Sequence, residues 1–219
     1  LQPLCYPSRH WSPAGLSARA CCRKRREWSN PPEGSSGAGA ARSPSVVWKT
    51  PSIMKRISVV TPCLNSERYI EQTLRSVAMQ RDDGVEVEHL VIDGGSADGT
   101  AALVAKYAHP HTHYISSRDG GPAEAINKGL CMASGDYLCW LNSDDVYAPR
   151  ALVRAVEALE AHPEKAFCFG HCPIIDADGR EIRRLITFFK EFWYPLSSRF
   201  VIRVLNYISQ PAMVFRRSA

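Results

Sequence analysis

ISVVTPCLNSERYIEQTLRSVAMQ, residues 57–80, followed by VEHLVIDGGSADGT, residues 87–100, decides the architecture of this chain. ISVVT (57–61) is a short β-branched run closed by Pro62, the pattern of a buried strand. Asn65 or Ser66 is placed to cap a helix that carries Ile70, Leu74 and Val77 on one face, through about Met79. VEHLVID (87–93) is a second strand, closed by the turn GGSADGT. The alternation then repeats. AALVAKYA (101–108) reads as a helix and HYIS (113–116) as a short strand. PAEAINKGLCMAS (122–134) is a helix with Pro at its start and Gly135 just past its end. DYLCWL (136–141) is a strand, PRALVRAVEALEAH (149–162) an amphipathic helix and FCFGHCPII (167–175) a strand. Strands alternating with helices of about ten residues or more mean βαβ units. The expected class is therefore α/β, with a mostly parallel sheet covered on both faces.

In such a sheet the ligand lies beyond the carboxyl ends of the strands. TPCLN, DGGSADGT, DGG and NSDD follow the first four strands in order, so the chemically loaded turns share one edge. The last turn ends an apolar strand on two adjacent acids, Asp144 and Asp145. Like charges side by side raise each other's pKa unless solvent, a basic side chain or a divalent metal offsets them. An acid pair beside a nucleotide suits a hard cation, with carboxylate oxygens on one side and diphosphate oxygens on the other. A turn that caps the helix near Pro149 would need one acid, not two. A dinucleotide fold would place G-x-G-x-x-G directly after the first strand, and TPCLNSE has no glycine. A P-loop is absent as well.

The net charge of +5 is unevenly spread. Residues 1–53 carry eight Lys+Arg against two Asp+Glu, while the remaining 166 residues carry 19 against 20. The globular part is therefore near neutral, which argues against nucleic acid as a partner. The first 53 residues lack an apolar period and are rich in Pro, Ser, Gly and Arg, including RKRR at 23–26. They are expected to be an unstructured extension or upstream read-through, with Met54 opening an ordinary cytoplasmic start and 54–219 forming the folded domain. No run approaches the roughly 18–20 apolar residues that span a bilayer. Five cysteines (63, 131, 139, 168 and 172) sit in or beside apolar elements, as reduced thiols of a cytosolic protein do. Cys168, His171 and Cys172 invite a zinc reading, but on a strand His171 points away from the two thiols.

Taken in order, ISVVTPCLNSERYIEQTLRSVAMQ, HLVIDGGSADGT and DGGPAEAINKGLCMASGDYLCWLNSDDVY resemble the family 2 glycosyltransferases of GT-A fold. The likeness runs almost continuously over residues 57–147 and is strongest to bacterial members that build O-antigen or exopolysaccharide. It implies inverting transfer from a UDP-sugar to a saccharide or lipid-linked saccharide. Thr61, Pro62 and Glu67 would hold the base and ribose of the UDP-sugar. Asp93 would contact uracil or ribose, with Asp98 in the same turn, and Asp119 and Lys128 would lie near the ribose and diphosphate. NSDD stands where the D-x-D motif is expected, with Asp144 towards the ribose and Asp145 towards Mg²⁺ or Mn²⁺. This chain departs from the family pattern at Leu64, where many members have an aromatic, at Glu124 for Asp, and at Asn142 for Asp, which leaves the register of the acidic motif open by one residue. The family's catalytic base lies beyond a segment like ISQPAMVFRRSA (208–219), so the fold is expected to be incomplete at its C-terminus and the base is unassigned.

Two further segments carry expectations. IIDADGREI (174–182) reads as a β-hairpin turning at Asp178–Gly179 rather than as a calcium loop. LITFFKEFWYPLSSRFVIRVLNYI (185–208) crowds aromatics beside Lys190, Arg199 and Arg203. It suits either a peripheral contact with an anionic membrane or packing against the sheet.

Overall fold

The computed structural model describes residues 4–7, 54–176, 179–193 and 208–219. Its elements run β1 (Leu4–Pro7), β2 (Arg56–Cys63), α1 (Ile70–Ala78), β3 (Glu86–Asp93), α2 (Thr100–Tyr107), β4 (Thr112–Ser116), α3 (Pro122–Met132), β5 (Tyr137–Trp140), α4 (Ala151–Ala161), β6 (Lys165–Phe169), β7 (Ile174–Ile175), β8 (Glu181–Ile182), α5 (Arg184–Trp193) and β9 (Met213–Arg216). The main sheet has seven strands in the order β1-β6-β9-β5-β2-β3-β4. Strands β5, β2, β3 and β4 pair in parallel. Because β9 is antiparallel to both β5 and β6, strands β2 to β6 all run in one direction. The expected α/β class with a mostly parallel sheet is the observed one.

Side-chain alternation along β2 divides the core. Ile57 and Val59 join Val87, Tyr137 and Cys139 under α4, while Cys63 and Val91 pack with Ile70, Leu74 and Val104 under α1 and α2. Val60, Leu90, Ile92 and Leu138 face the other way, onto Ala125 and Leu130 of α3. Each Val, Ile or Leu fully buried here contributes about 1.5–3 kcal/mol. Helix α3 lies close because Gly129 has no side chain, as a Cβ there would sit 2.4 Å from Val60 Cγ1.

Pro62 does not close β2, which continues to Cys63 with Pro62 in register with Ile92. Backbone groups of alternate residues face opposite neighbours in a parallel strand. Val60 O accepts from Leu141 N and Cys63 O from Gly94 N, so the N–H that Pro62 lacks would face β5 beyond its end. Helix α1 starts later than expected. Tyr69 N and Ile70 N both donate to Ser66 O in a preceding turn, and Asn65, at φ +49°, turns its side chain to Ala97 N instead of capping.

The run 167–175 is not one strand. Strand β6 stops at Phe169, Gly170 N donates to Ala212 O, and Ile174–Ile175 pair with Glu181–Ile182 in the expected hairpin. Cys168 is buried, its thiol directed at Ala155 O, so it packs as a core thiol. Among the described residues no cluster of His, Cys, Asp and Glu could hold a metal by itself. Four residues of the segment expected to be unstructured, Leu4–Pro7, add an antiparallel edge strand to β6. The remainder of 1–53 lies outside the described residues, as do 194–207 of the aromatic segment. Among the described residues, no helix is long and apolar enough to cross a membrane.

Candidate functional site

The C-terminal ends of β2, β3, β4 and β5 each release a loop at one edge, and side chains stitch these loops together. The first loop is tied to the second along its length. Asn65 N donates to Ser96 Oγ, Ser66 N to Thr100 Oγ1, and Glu67 N to Asp98 Oδ2, while Gly99 N returns a bond to Glu67 Oε2 at 3.0 Å. The first loop meets the fourth through Ser66 Oγ and Ser143 Oγ, 2.8 Å apart. Thr73 of α1 completes that seam, its hydroxyl 2.9 Å from the carbonyls of both Ser143 and Asp145.

Asp93 joins the second loop to the end of β4. Its Oδ1 accepts from Ser96 N and Oγ, and its Oδ2 from Tyr114 OH and Ser116 Oγ, both at 2.7 Å. Burial alone would raise its pKa, but donors from Ser96, Ser116 and Tyr114 outweigh it and hold the carboxyl below its ordinary value. Asp93 is only 1% exposed, and these four donors serve its carboxylate in place of water. Asp98 behaves similarly: bonds from Thr100 and Glu67 lower its pKa while it holds the start of α2.

The remaining sequence-predicted residues fall into two groups. Thr61 and Pro62 are buried, and Thr61 Oγ1 lies 2.9 Å from His89 Nε2, so these two form the floor beneath the loops. Glu67, Asp119, Lys128 and Asp144 reach solvent along the rim. Asp119 accepts from Gly121 N and packs so closely on Gly94 that a Cβ there would lie 3.2 Å from its Oδ1. Lys128 Nζ donates to Ser117 Oγ in the third loop. Leu64 is 58% exposed where the resemblance implies a base contact, and Glu124 caps the third loop by accepting from Gly120 N.

The acid pair is split by its surroundings. Asp144 is exposed, whereas Asp145 is partly buried and accepts from Asn142 Nδ2 at 2.9 Å. Burial raises the pKa of Asp145; the Asn142 bond opposes this and the Asp144 charge adds to it. No basic side chain among the described residues forms an ion pair with either acid. The donor set at this turn is carboxylate and amide oxygen, the hard ligands that Mg²⁺ and Mn²⁺ take. Asp176 of the hairpin, an acid considered for the unassigned base, is engaged locally, with Oδ1 accepting from Arg180 N and the backbone N–H donating to Arg180 O.

Thr73, Tyr114 and Ser116 carried no motif signal, and they do the stitching together with Ser96 and Ser143 of the motif turns. Tyr114 and Ser116 were legible only as polar residues two apart at a strand end, on the face that Asp93 shares. The turn Gln210–Ala212 also reaches this edge, because β9 starts beside the end of β6.

The profile of Glycosyl transferase family 2 matches residues 58–219. The chain is 32% identical over 142 residues to the succinoglycan biosynthesis protein ExoO of Rhizobium meliloti, which is 64% of this chain and 39% of that protein. Its structure superposes on S. aureus TarS in complex with UDP with a TM-score of 0.54 at 25% identity, covering 74% of this chain and 46% of that one. It also superposes on the mannosyltransferase PcManGT of Pyrobaculum calidifontis, solved with GDP-Man and Mn²⁺, with a TM-score of 0.54 at 23% identity, covering 81% of this chain and 49% of that one. The chain thus spans less than half the length of each of these proteins.

Proposed function

This chain belongs to glycosyl transferase family 2 and has the GT-A fold, and we propose that it moves a sugar, with inversion, from a UDP-sugar to a saccharide or lipid-linked saccharide. The observation that carries this reading is the acid pair Asp144–Asp145 at the stitched edge, without a basic partner among the described residues. When bound, Mg²⁺ or Mn²⁺ would neutralise the developing charge of the departing diphosphate. Asp145 would hold that metal, and Asp144 would face the ribose. Asp119 and Lys128 would orient the ribose and diphosphate from the third loop and α3. Glu67 and Asp98 would line the nucleoside from the first and second loops. Asp93 would hold Ser96, Tyr114 and Ser116 around the nucleoside and contact it by exchanging one of these donors. Thr61 and Pro62 would support the site from beneath.

The folded unit is proposed as 54–219 completed by the edge strand Leu4–Pro7, acting in the cytoplasm at the inner face of the plasma membrane when the acceptor is lipid-linked. A second reading, nucleotide-sugar binding without turnover, is favoured by the local employment of Asp176. Binding of UDP-sugar with no sugar delivered to any acceptor would select it. The central test is calorimetric titration of UDP with and without Mn²⁺ into the wild type and Asp145→Asn. The substitution should abolish the metal-dependent part of the affinity, at least tenfold, with the unfolding midpoint retained. Equal metal-dependent affinity in both proteins would remove Asp145 from the metal site.

A further inference from the structure

Strand β4 is the last strand of the sheet on the site's side, and it pairs with β3. Tyr114 of this strand is in register with Val91, yet its hydroxyl donates to Asp93 Oδ2, two residues further along β3, at 2.7 Å. Two residues of a strand span about 6.6 Å. The side chain therefore leans along the strand towards its carboxyl end, where the loops of the site rise. Burial first, and the bond to Asp93 second, push the pKa of this phenol up to about 12, so it keeps the proton it donates. The residue is nonetheless 37% exposed. Among the described residues no aromatic ring stacks on it and no Lys or Arg lies over its face. A tyrosine on an outer strand would ordinarily keep its hydroxyl in water. Tying the hydroxyl to a buried acid offers the ring instead.

The other flank of Asp93 is apolar as well. Cys63 is in register with Asp93, its thiol 4.0 Å from Oδ1, and the next residue, Leu64, is 58% exposed on the first loop. Asp93 thus lies between two exposed apolar side chains, carried by β4 and by the loop after β2. Those strands stand two strand spacings apart, about 9.5 Å. Apolar walls with a carboxylate acceptor between them suit a flat, uncharged ring that carries an N–H donor. A diphosphate would instead meet the carboxylates of Glu67, Asp93 and Asp98 on the same two loops. Of the parts of a nucleotide-sugar, the base alone is flat and uncharged. The two walls differ in kind. Leu64 offers aliphatic area, whereas Tyr114 offers a π-face, on which any base can stack.

We propose that Tyr114 is the platform on which the nucleobase of the donor stacks, held at its far end by the bond to Asp93. The assignment rests on the nucleotide-sugar reading of this edge. The hydroxyls of Ser96 and Ser116 swing about one side-chain bond, so either makes way for a base N–H at Asp93 while the tyrosine bond stays. The whole chain, as wild type, Tyr114→Phe and Tyr114→Leu, is titrated calorimetrically with UDP in the presence and absence of Mn²⁺. Unfolding midpoints of the three proteins verify folding. Both substitutions break the bond to Asp93, but Tyr114→Leu alone removes the ring. Tyr114→Leu should weaken UDP about fivefold or more, by the same factor with and without metal, and Tyr114→Phe by about twofold, the effect of releasing the ring from its anchor. Equal losses in the two variants would assign the effect to the hydroxyl and overturn the platform. So would unchanged UDP affinity in Tyr114→Leu, or a loss confined to the titration with Mn²⁺, which would put the side chain at the diphosphate. Wild type that binds UDP no better than Tyr114→Leu sinks Tyr114 alone. Wild type that binds no UDP sinks the reading of the edge, and the platform with it.

Discussion

His89 shows how a buried residue without a motif bears on the site. It is fully buried in β3, its Nε2 beside Thr61 Oγ1 under the first loop, and its Nδ1 has no partner among the described atoms. Burial first, and the neighbouring His109 second, depress its pKa to about 3. Between about pH 6.5 and 3 the unfolded chain therefore binds a proton that the folded chain refuses. With more protons on the unfolded state, stability rises with pH through this window and is lost on acidification. From pH 7 to pH 5 the loss attributable to His89 is about 2 kcal/mol. Urea unfolding at the two pH values should show His89→Gln losing about that much less than wild type. An unchanged pH dependence would mean that His89 is not the neutral buried base described here.

At the scale of elements, the seam between α1 and the fourth loop is the joint that holds the acids. Thr73 is fully buried, and its one hydroxyl proton serves two carbonyls, those of Ser143 and Asp145. Thr73→Val keeps the shape of the side chain and removes the donor, leaving both carbonyls short of a partner. Such a loss costs about 1–3 kcal/mol. Metal-dependent UDP affinity should fall along with it, because the backbone that carries Asp145 is freed. Calorimetry with Mn²⁺, set against titration without metal, checks this. A drop in stability with the metal-dependent affinity intact would show that the seam supports the fold but not the acid pair.

At the scale of the molecule, the sheet separates the site from the N-terminal strand. Strand β1 lies at one edge, with β6 and β9 between it and β5, and the four loops rise from β5, β2, β3 and β4. Removing residues 1–53 should leave UDP affinity within about twofold. It should also lower the unfolding midpoint, by about 2–4 °C for each kcal/mol that the Leu4–Pro7 pairing contributes. Differential scanning calorimetry of the shortened and full chains measures both the presence and the size of that contribution. A fall in nucleotide affinity would place part of the first 53 residues at the site.

Local pattern alone determined much of this protein. Apolar runs of strand length, helical periodicity and Pro or Gly at the boundaries were enough for the alternation of β2 through α4. The four turns at one edge followed from parallel connectivity, and the hairpin at 174–182 from its Asp-Gly turn. These features depend on neighbours within a few residues, where period and turn chemistry operate. Which carboxylates are exposed was decided only in three dimensions. Asp93, Asp98 and Asp144 look alike in sequence, yet one is saturated by donors from the second loop and β4, one ties the first loop to α2, and one faces solvent. The hand-over from β6 to β9, and with it the placement of Gln210 at the site edge, was likewise hidden. It depends on antiparallel pairing between strands more than forty residues apart in sequence. Helix α5 is a further instance: its aromatics were plain in the sequence, but the exposure of Leu185 and Phe188 beside a buried Thr187 is a property of the packed molecule, because burial belongs to the surroundings of a helix and not to the helix alone.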